Sequence, residues 1–391
     1  MGNSGSGGVY VATDKTTYAP GEMVSGTLYG NILNPVHAKS VSVRVSGKER
    51  CHWTESQTRT VNGKSETHSV THSGFNRVLD TLVPLVTLDA STPFSGQFQY
   101  PFSFVLPVNI PGSHESVTNG IRASVIYKIT SRVNISGMFK SDLVFKQVFF
   151  VRQPPPFLNR LQSCYSGNVT VFCCVSRGFV TMNVSSDKNA YTSGEQASVM
   201  ASIDNQSRRK FRRIIAELVM MLDVYSSSGR RRSTKRVICA TSYPGVAPMS
   251  SETDRPMTLP IPQNLSQNCQ GTIVRMHYVL NVRADVAWGT DPKCFLPIMI
   301  YLPETKTPVT LPTAPPDYKP AKHDDVSFGV IPAGSAPPQF SLDTYPNVVQ
   351  IPIEPARDVV HVAPSQHTMF EQPMNPISNG SGPEDFIRHN N

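Results

Sequence analysis

A chain of 391 residues with 39% hydrophobic content has room for two ordinary domains and a tail. No apolar run reaches the roughly 18 residues that a membrane-spanning helix needs. The formal charge of +8 is modest and locally clustered, and the basic runs lack the interleaved aromatics of a single-strand nucleic-acid binder.

The opening stretch, Met1-Gly2-Asn3-Ser4-Gly5-Ser6, fits an N-myristoylation pattern, with Gly2 exposed once Met is removed and a small hydroxyl at Ser6. Residues 1–8 therefore read as a flexible leader that can carry an acyl chain at Gly2. One such chain binds membranes only marginally, at about 10⁴ M⁻¹, so anchoring requires a second signal. The stretch has no charged n-region and apolar core, hence no secretory signal. Without one, the seven cysteines read as reduced thiols in the cytosol.

From residue 9 the pattern is one of strands. Val41, Val43 and Val45 alternate with polar residues, as do Phe98, Tyr100, Phe102 and Phe104, and Ile121, Ala123, Val125, Tyr127 and Ile129. Such period-two runs are half-buried strands. One short helix is expected at Arg77–Val83. Residues 9–153 thus predict an antiparallel β-sandwich, and VRQPPPFLNR, with three successive prolines, predicts a stiff connector over 154–163.

The second half repeats the first. TDKTTYAPGE at Thr13–Glu22 returns as SDKNAYTSGE at Ser186–Glu195, an offset of 173 residues. A second pair of echoes, LPVNIPGS and LPIPQNLSQNCQG, precedes an alternating run in each half. FRRIIAELVMMLDVY has helical spacing, yet the offset aligns its Ile214–Met220 with Val41–Gly47, so a strand is predicted. Residues 164–305 become a second sandwich, making the fold all-β with two tandem antiparallel domains. Two basic runs lie in it: Arg208, Arg209, Lys210, Arg212 and Arg213, then Arg230, Arg231, Arg232, Lys235 and Arg236. Both are candidate contacts for anionic lipid or phosphate.

The tail, 306–391, holds 15 prolines and no sustained period, and is expected to be disordered. It contains PTAPPDY. Pro315, Pro316 and Tyr318 form a P-P-x-Y ligand for the aromatic groove of a WW domain. Pro312, Thr313, Ala314 and Pro315 form a P-T-A-P ligand for a ubiquitin-variant (UEV) domain of the ESCRT machinery. Proline pre-sets the polyproline II conformation for both. Further on, GSAPPQF is a decayed copy, with Gly334 replacing the first proline and Phe340 the tyrosine.

Several stretches resemble the alpha-arrestins, the arrestin domain-containing proteins: YAPGEMVSGTLYG, FSFVLPVNIPGS before ASVIYKI, FCCVSRGFVTMNVSSDKNAYTSGE, and SIDNQSRRKFRRIIAEL. The resemblance covers about Val9 to Leu302, with a PPxY-bearing tail following, although one full PPxY stands where that family commonly carries two. It implies two seven-stranded sandwiches side by side, no catalytic site, and an adaptor that links transmembrane cargo to WW-domain HECT ubiquitin ligases. Lys319 and Lys322 would be nearby ubiquitin acceptors.

Signatures of other chemistry are weak. Cys164, Cys173 and Cys174 lack paired C-x-x-C spacing, and His68 and His72 fall in a polar loop, so no metal is expected. No phosphate-cradling glycine loop or nucleophile elbow occurs, and no cofactor is predicted. Two alternatives remain: an ESCRT recruiter for vesicle budding at the plasma membrane, and a redox partner acting through Cys239 or Cys294.

Overall fold

The computed structural model describes residues 7–61, 64–138, 140–172, 175–304 and 348–352. Among these residues every regular element is a strand. The first sandwich runs β1 (Gly8–Thr13), β2 (Thr17–Tyr18), β3 (Met23–Val61), β4 (Lys64–Thr87), β5 (Pro93–Val105), β6 (His114–Thr118), β7 (Ile121–Ile135) and β8 (Leu143–Val151). Its organiser is β3. The first part of this strand pairs with β1 and β5, and the second with β4 and β7. A register shift between Ile32 and Val36 marks where it passes from one layer to the other. Val24, Leu28, Val41, Val43 and Val45, all fully buried, fill the space between with Phe102, Phe104, Tyr127 and Phe149.

The second sandwich runs β9 (Asn159–Val171), β10 (Val175–Ser186), β11 (Ala190–Thr192), β12 (Gln196–Ser207), β13 (Phe211–Tyr225), β14 (Arg231–Pro244), β15 (Ser250–Pro260), β16 (Cys269–Gln270), β17 (Val274–Val286) and β18 (Lys293–Tyr301). One layer is ordered β15-β12-β10-β9 and the other β11-β18-β17-β13-β14. Strand β9 already begins at Asn159, so the extended connector is shorter than the proline run suggested. Five residues of the expected disordered tail form β19 (Val348–Pro352), which pairs with Asn159–Ser163 of β9. A β-branched segment thereby covers a sheet edge that would otherwise expose unpaired backbone groups.

The duplicated motif is a structural staple. The Tyr18 hydroxyl donates to Asp14 Oδ1 at 2.6 Å, and that carboxylate also accepts the Ser25 N–H at 3.1 Å. Glu22 accepts the Ala19 N–H at 2.7 Å and pairs with Lys15. In the copy Tyr191 donates to Asp187 at 2.6 Å, Ser198 N–H reaches Asp187 at 3.1 Å, and Glu195 binds Thr192 N–H and Lys188. Gly21 and Gly194 hold φ of 79° and 85°, where a side chain is strained, so glycine is required in both. Burial and the adjoining carboxylate push both tyrosine hydroxyls far above their ordinary pKa.

Two difficult segments resolve in opposite ways. Phe211–Tyr225 is a strand, as the duplication predicts, and its Ile214–Leu218 run is buried throughout. A strand covered on both faces loses its alternation, which is why the spacing imitated a helix. The helix expected at Arg77–Val83 does not form: those residues lie in β4. A bulge between the Gly47 and Lys48 pairings leaves Val78 unpaired, so the apolar residues 78, 79, 82 and 83 fall out of phase and mimic helical spacing.

Candidate interaction surfaces

Pro312, Thr313, Ala314, Pro315, Pro316 and Tyr318 lie outside the described residues, as do Gly2, Cys173 and Cys174. The ten basic residues are described, and they occupy two separate places. Arg208–Arg213 surround the start of β13, while Arg230–Arg236 lie beyond its end and along β14. Strand geometry sets these two ends roughly 45 Å apart. They are two patches rather than one.

Each patch is partly committed within the chain. Arg209 donates to the Ala287 carbonyl at 3.0 Å. Arg212 and Arg213 share Asp285, at 2.6 and 3.3 Å, and hold its carboxyl below the usual carboxylate range despite its burial. Arg208 and Lys210 are exposed. In the second patch Arg231 pairs with Asp223 at 2.8 Å and lies over the Tyr225 ring. Arg232 reaches into the first sandwich, donating to Thr54 O at 3.1 Å and Asn119 O at 3.4 Å. Arg230, Lys235 and Arg236 are exposed.

Arg232 thus belongs to the junction between the sandwiches, whose centre is Glu49. This carboxylate is fully buried. It accepts the backbone N–H groups of Thr272 (3.0 Å), Ile273 (2.8 Å) and Val274 (3.2 Å) from the loop entering β17. A Cβ on Gly271 would lie 2.6 Å from Glu49 Oε2, so the loop needs glycine to approach. Nearby, Gln267 Oε1 accepts the Gln153 N–H at 2.9 Å, and Gln267 Nε2 donates to Val151 O at 2.8 Å. Charge-assisted bonds to backbone N–H groups satisfy a buried carboxylate where no cation is present.

Beside the junction, on the outer face of the first sandwich, is a cavity of about 480 Å³ lined by Arg50, His52, Phe75, Glu115, Val117 and Arg122. His52 and Arg122 are direct cross-strand partners on β3 and β7. The Arg50 guanidinium sits 5.7 Å from the Phe75 ring centroid. Among the described residues no acid lies within ion-pair distance of Arg50 or Arg122. The lining thus holds two arginines and one carboxylate, Glu115, beside the apolar side chains of Phe75 and Val117.

Cys294 is buried, and burial pushes its thiol up to about 12; burial also raises Cys239. A thiol held protonated is a weaker nucleophile than a thiolate. His72 stacks on the buried Trp53 at 5.1 Å between centroids. Among the described residues no cluster of potential metal ligands forms, and no helix is long and apolar enough to cross a membrane.

Two β-sandwiches clasped through a buried polar junction define an arrestin-type scaffold. Residues 8–155 match the family described as Arrestin (or S-antigen), N-terminal domain, and 176–305 match Arrestin (or S-antigen), C-terminal domain; the chain belongs to the arrestin family. It is 23% identical over 317 residues to Arrestin domain-containing protein A of Dictyostelium discoideum, covering 79% of this chain and 53% of that protein. It is likewise 23% identical over 323 residues to human Arrestin domain-containing protein 1, covering 77% and 69%. Arrestin domain-containing protein 17 of Caenorhabditis elegans is 26% identical over 208 residues, 49% of this chain and 46% of that protein. The chain spans about half the length of the first of these relatives.

Proposed function

We propose that the chain is an adaptor that links membrane cargo to ubiquitination through its tail. The observation that carries this reading is PTAPPDY, two peptide-ligand patterns in seven residues, placed after an arrestin fold whose last core strand ends at Tyr301. Pro315, Pro316 and Tyr318 are the ligand for a WW-domain HECT ubiquitin ligase. Pro312, Thr313, Ala314 and Pro315 are the ligand for a UEV domain of ESCRT. Pro315 serves both, so one tail engages one partner at a time. Cargo docks on the sandwiches, where Arg50 and Arg122 in the cavity of the first sandwich suit an acidic segment of a receptor tail. Myristate on Gly2 and the basic patches hold the adaptor at plasma-membrane and endosomal surfaces, each cation near an anionic surface adding about 1 kcal/mol. Capture by WW and UEV domains of chains altered at Tyr318, Thr313 or Pro315 tests the tail. Loss of WW capture with unchanged UEV capture on Tyr318→Ala is expected.

The second reading, an ESCRT recruiter for vesicle budding, is favoured by the P-T-A-P pattern alone. It predicts that Thr313→Leu, and not Tyr318→Ala, abolishes vesicle release.

A further inference from the structure

The second basic run leads into two hydroxyl residues, RRRST at Arg230–Thr234, and its side chains face two ways. Arg230, Arg231 and Ser233 are exposed, whereas Arg232 and Thr234 are half-buried. Strand geometry does this sorting, since successive side chains on β14 point to opposite faces. Arg232 donates to Thr54 O and Asn119 O, and Thr234 Oγ1 accepts from Asn119 Nδ2 at 2.6 Å, so these two hold the first sandwich. Ser233 lies on the other face, directly opposite Asp223 of β13, to which its hydroxyl donates.

The segment is an extended chain at a sheet edge. Strand β14 is the last of its layer, and among the described residues Arg231–Arg236 pair with β13 alone. The ladder ends at the Tyr225–Arg231 pair, and the turn beyond it holds Gly229 at a φ of 79°. Ser233 belongs to the third pair from that turn. A ladder opens most readily at such an end. The ion pair that ties Arg231 to Asp223 leaves the arginine side chain more than half exposed, and pairs of that kind hold weakly.

We infer that Ser233 is a phosphorylation site for an arginine-directed serine kinase. Guanidinium groups three and two residues before the acceptor make bidentate, charge-assisted pairs with carboxylates of such a kinase's peptide groove, and the residue just before the acceptor is not read. Here the two positions that are read are exposed, and the unread one is turned toward the first sandwich. In the transfer Ser233 Oγ bonds to the γ-phosphorus of ATP, its proton passes to the kinase's catalytic base, and the bond to the leaving ADP breaks. The product carries about −1.5 to −2 charge directly opposite Asp223, where like charges repel. Arg231 and Lys235, on the same face, are drawn to it. The hairpin loosens around Ser233, and with it the hold of Arg232 and Thr234 on the first sandwich. This adds a covalent control of the junction and does not depend on the reading of the tail.

The test uses the full chain with ATP, Mg²⁺ and the catalytic subunit of the cyclic-AMP-dependent kinase, which reads arginine at those two positions. Peptide mass spectrometry should find phosphate on Ser233. Ser233→Ala should abolish it and Ser233→Thr retain it, while Thr234→Val and Tyr318→Ala leave it unchanged. Arg230→Ala and Arg231→Ala should each lower kcat/KM about tenfold. Arg236→Ala, also exposed but beyond the acceptor, should not. The phosphorylated chain should exchange amides faster at 53–55 and 118–120 than the unmodified chain. Phosphate on Thr234 with Ser233 unmodified would overturn the site, as would none at all on the folded chain. Equal losses in Arg230→Ala and Arg236→Ala would reduce recognition to net charge and overturn it. Unchanged exchange at the junction would overturn the control.

Discussion

Glu49, fully buried in the first sandwich, accepts the N–H of Ile273 in the second at 2.8 Å, and those of Thr272 and Val274 beside it. One side chain thereby holds a loop of the other domain by its backbone. The relation between the two sandwiches depends on a group that neither can satisfy alone.

Replacing it should cost both domains. Glu49→Ala leaves the N–H groups of Thr272, Ile273 and Val274 without their acceptor, the last of them buried, and each such loss is worth about 1 kcal/mol. A destabilisation of about 3 kcal/mol is expected in urea unfolding, with faster amide exchange at 272–274. Glu49→Gln retains one acceptor oxygen and should fall between Glu49→Ala and the parent chain.

The duplicated tyrosines should behave as equals. Tyr18→Phe and Tyr191→Phe each remove one hydroxyl from a carboxylate at 2.6 Å while keeping the ring. Each should lose about 1–2 kcal/mol. Chemical denaturation of the two variants, and of the double variant for additivity, checks this. A large asymmetry would mean that the repeats do different jobs.

His114 predicts a pH dependence. Burial lowers its pKa from 6.5 to about 4. The unfolded chain therefore binds a proton that the folded chain refuses, and stability falls as pH drops from 6.5 toward 4. By linkage the loss is about 2 kcal/mol at pH 5 relative to neutral pH. His114→Gln should abolish this part of the decline, read as the difference between the two unfolding profiles at pH 7 and pH 5.

Tail variants should separate two partners. Tyr318→Ala should lose WW binding alone, Thr313→Leu UEV binding alone, and Pro315→Ala both. Peptide pulldowns with isolated domains provide the readout, and cargo turnover in cells follows the WW arm.

The fold was largely legible because its signals are periodic. The Asp-Lys-x-x-Tyr-x-x-Gly-Glu repeat records a turn that needs those side chains in both halves, and alternation reported the half-buried strands. It failed where physics hides the period: at the bulge beside Val78, and hid a strand in β13, covered on both faces. Glu49 went unnoticed because a glutamate in SGKERC reads as exposed, yet it stands in phase with Val41, Val43, Val45 and Cys51, the one signal that it is buried. Basic runs were visible but not their partners, since Asp285 meets Arg212 only after β17 pairs with β13.

One tail segment is proposed to choose between two machines, and competition between the two domains decides it. A labelled peptide spanning residues 308–322 would be saturated with a WW domain and titrated with a UEV domain, with binding of both followed at once. The shared Pro315 predicts that each domain displaces the other and that no species contains both. A ternary complex on a single peptide would contradict it.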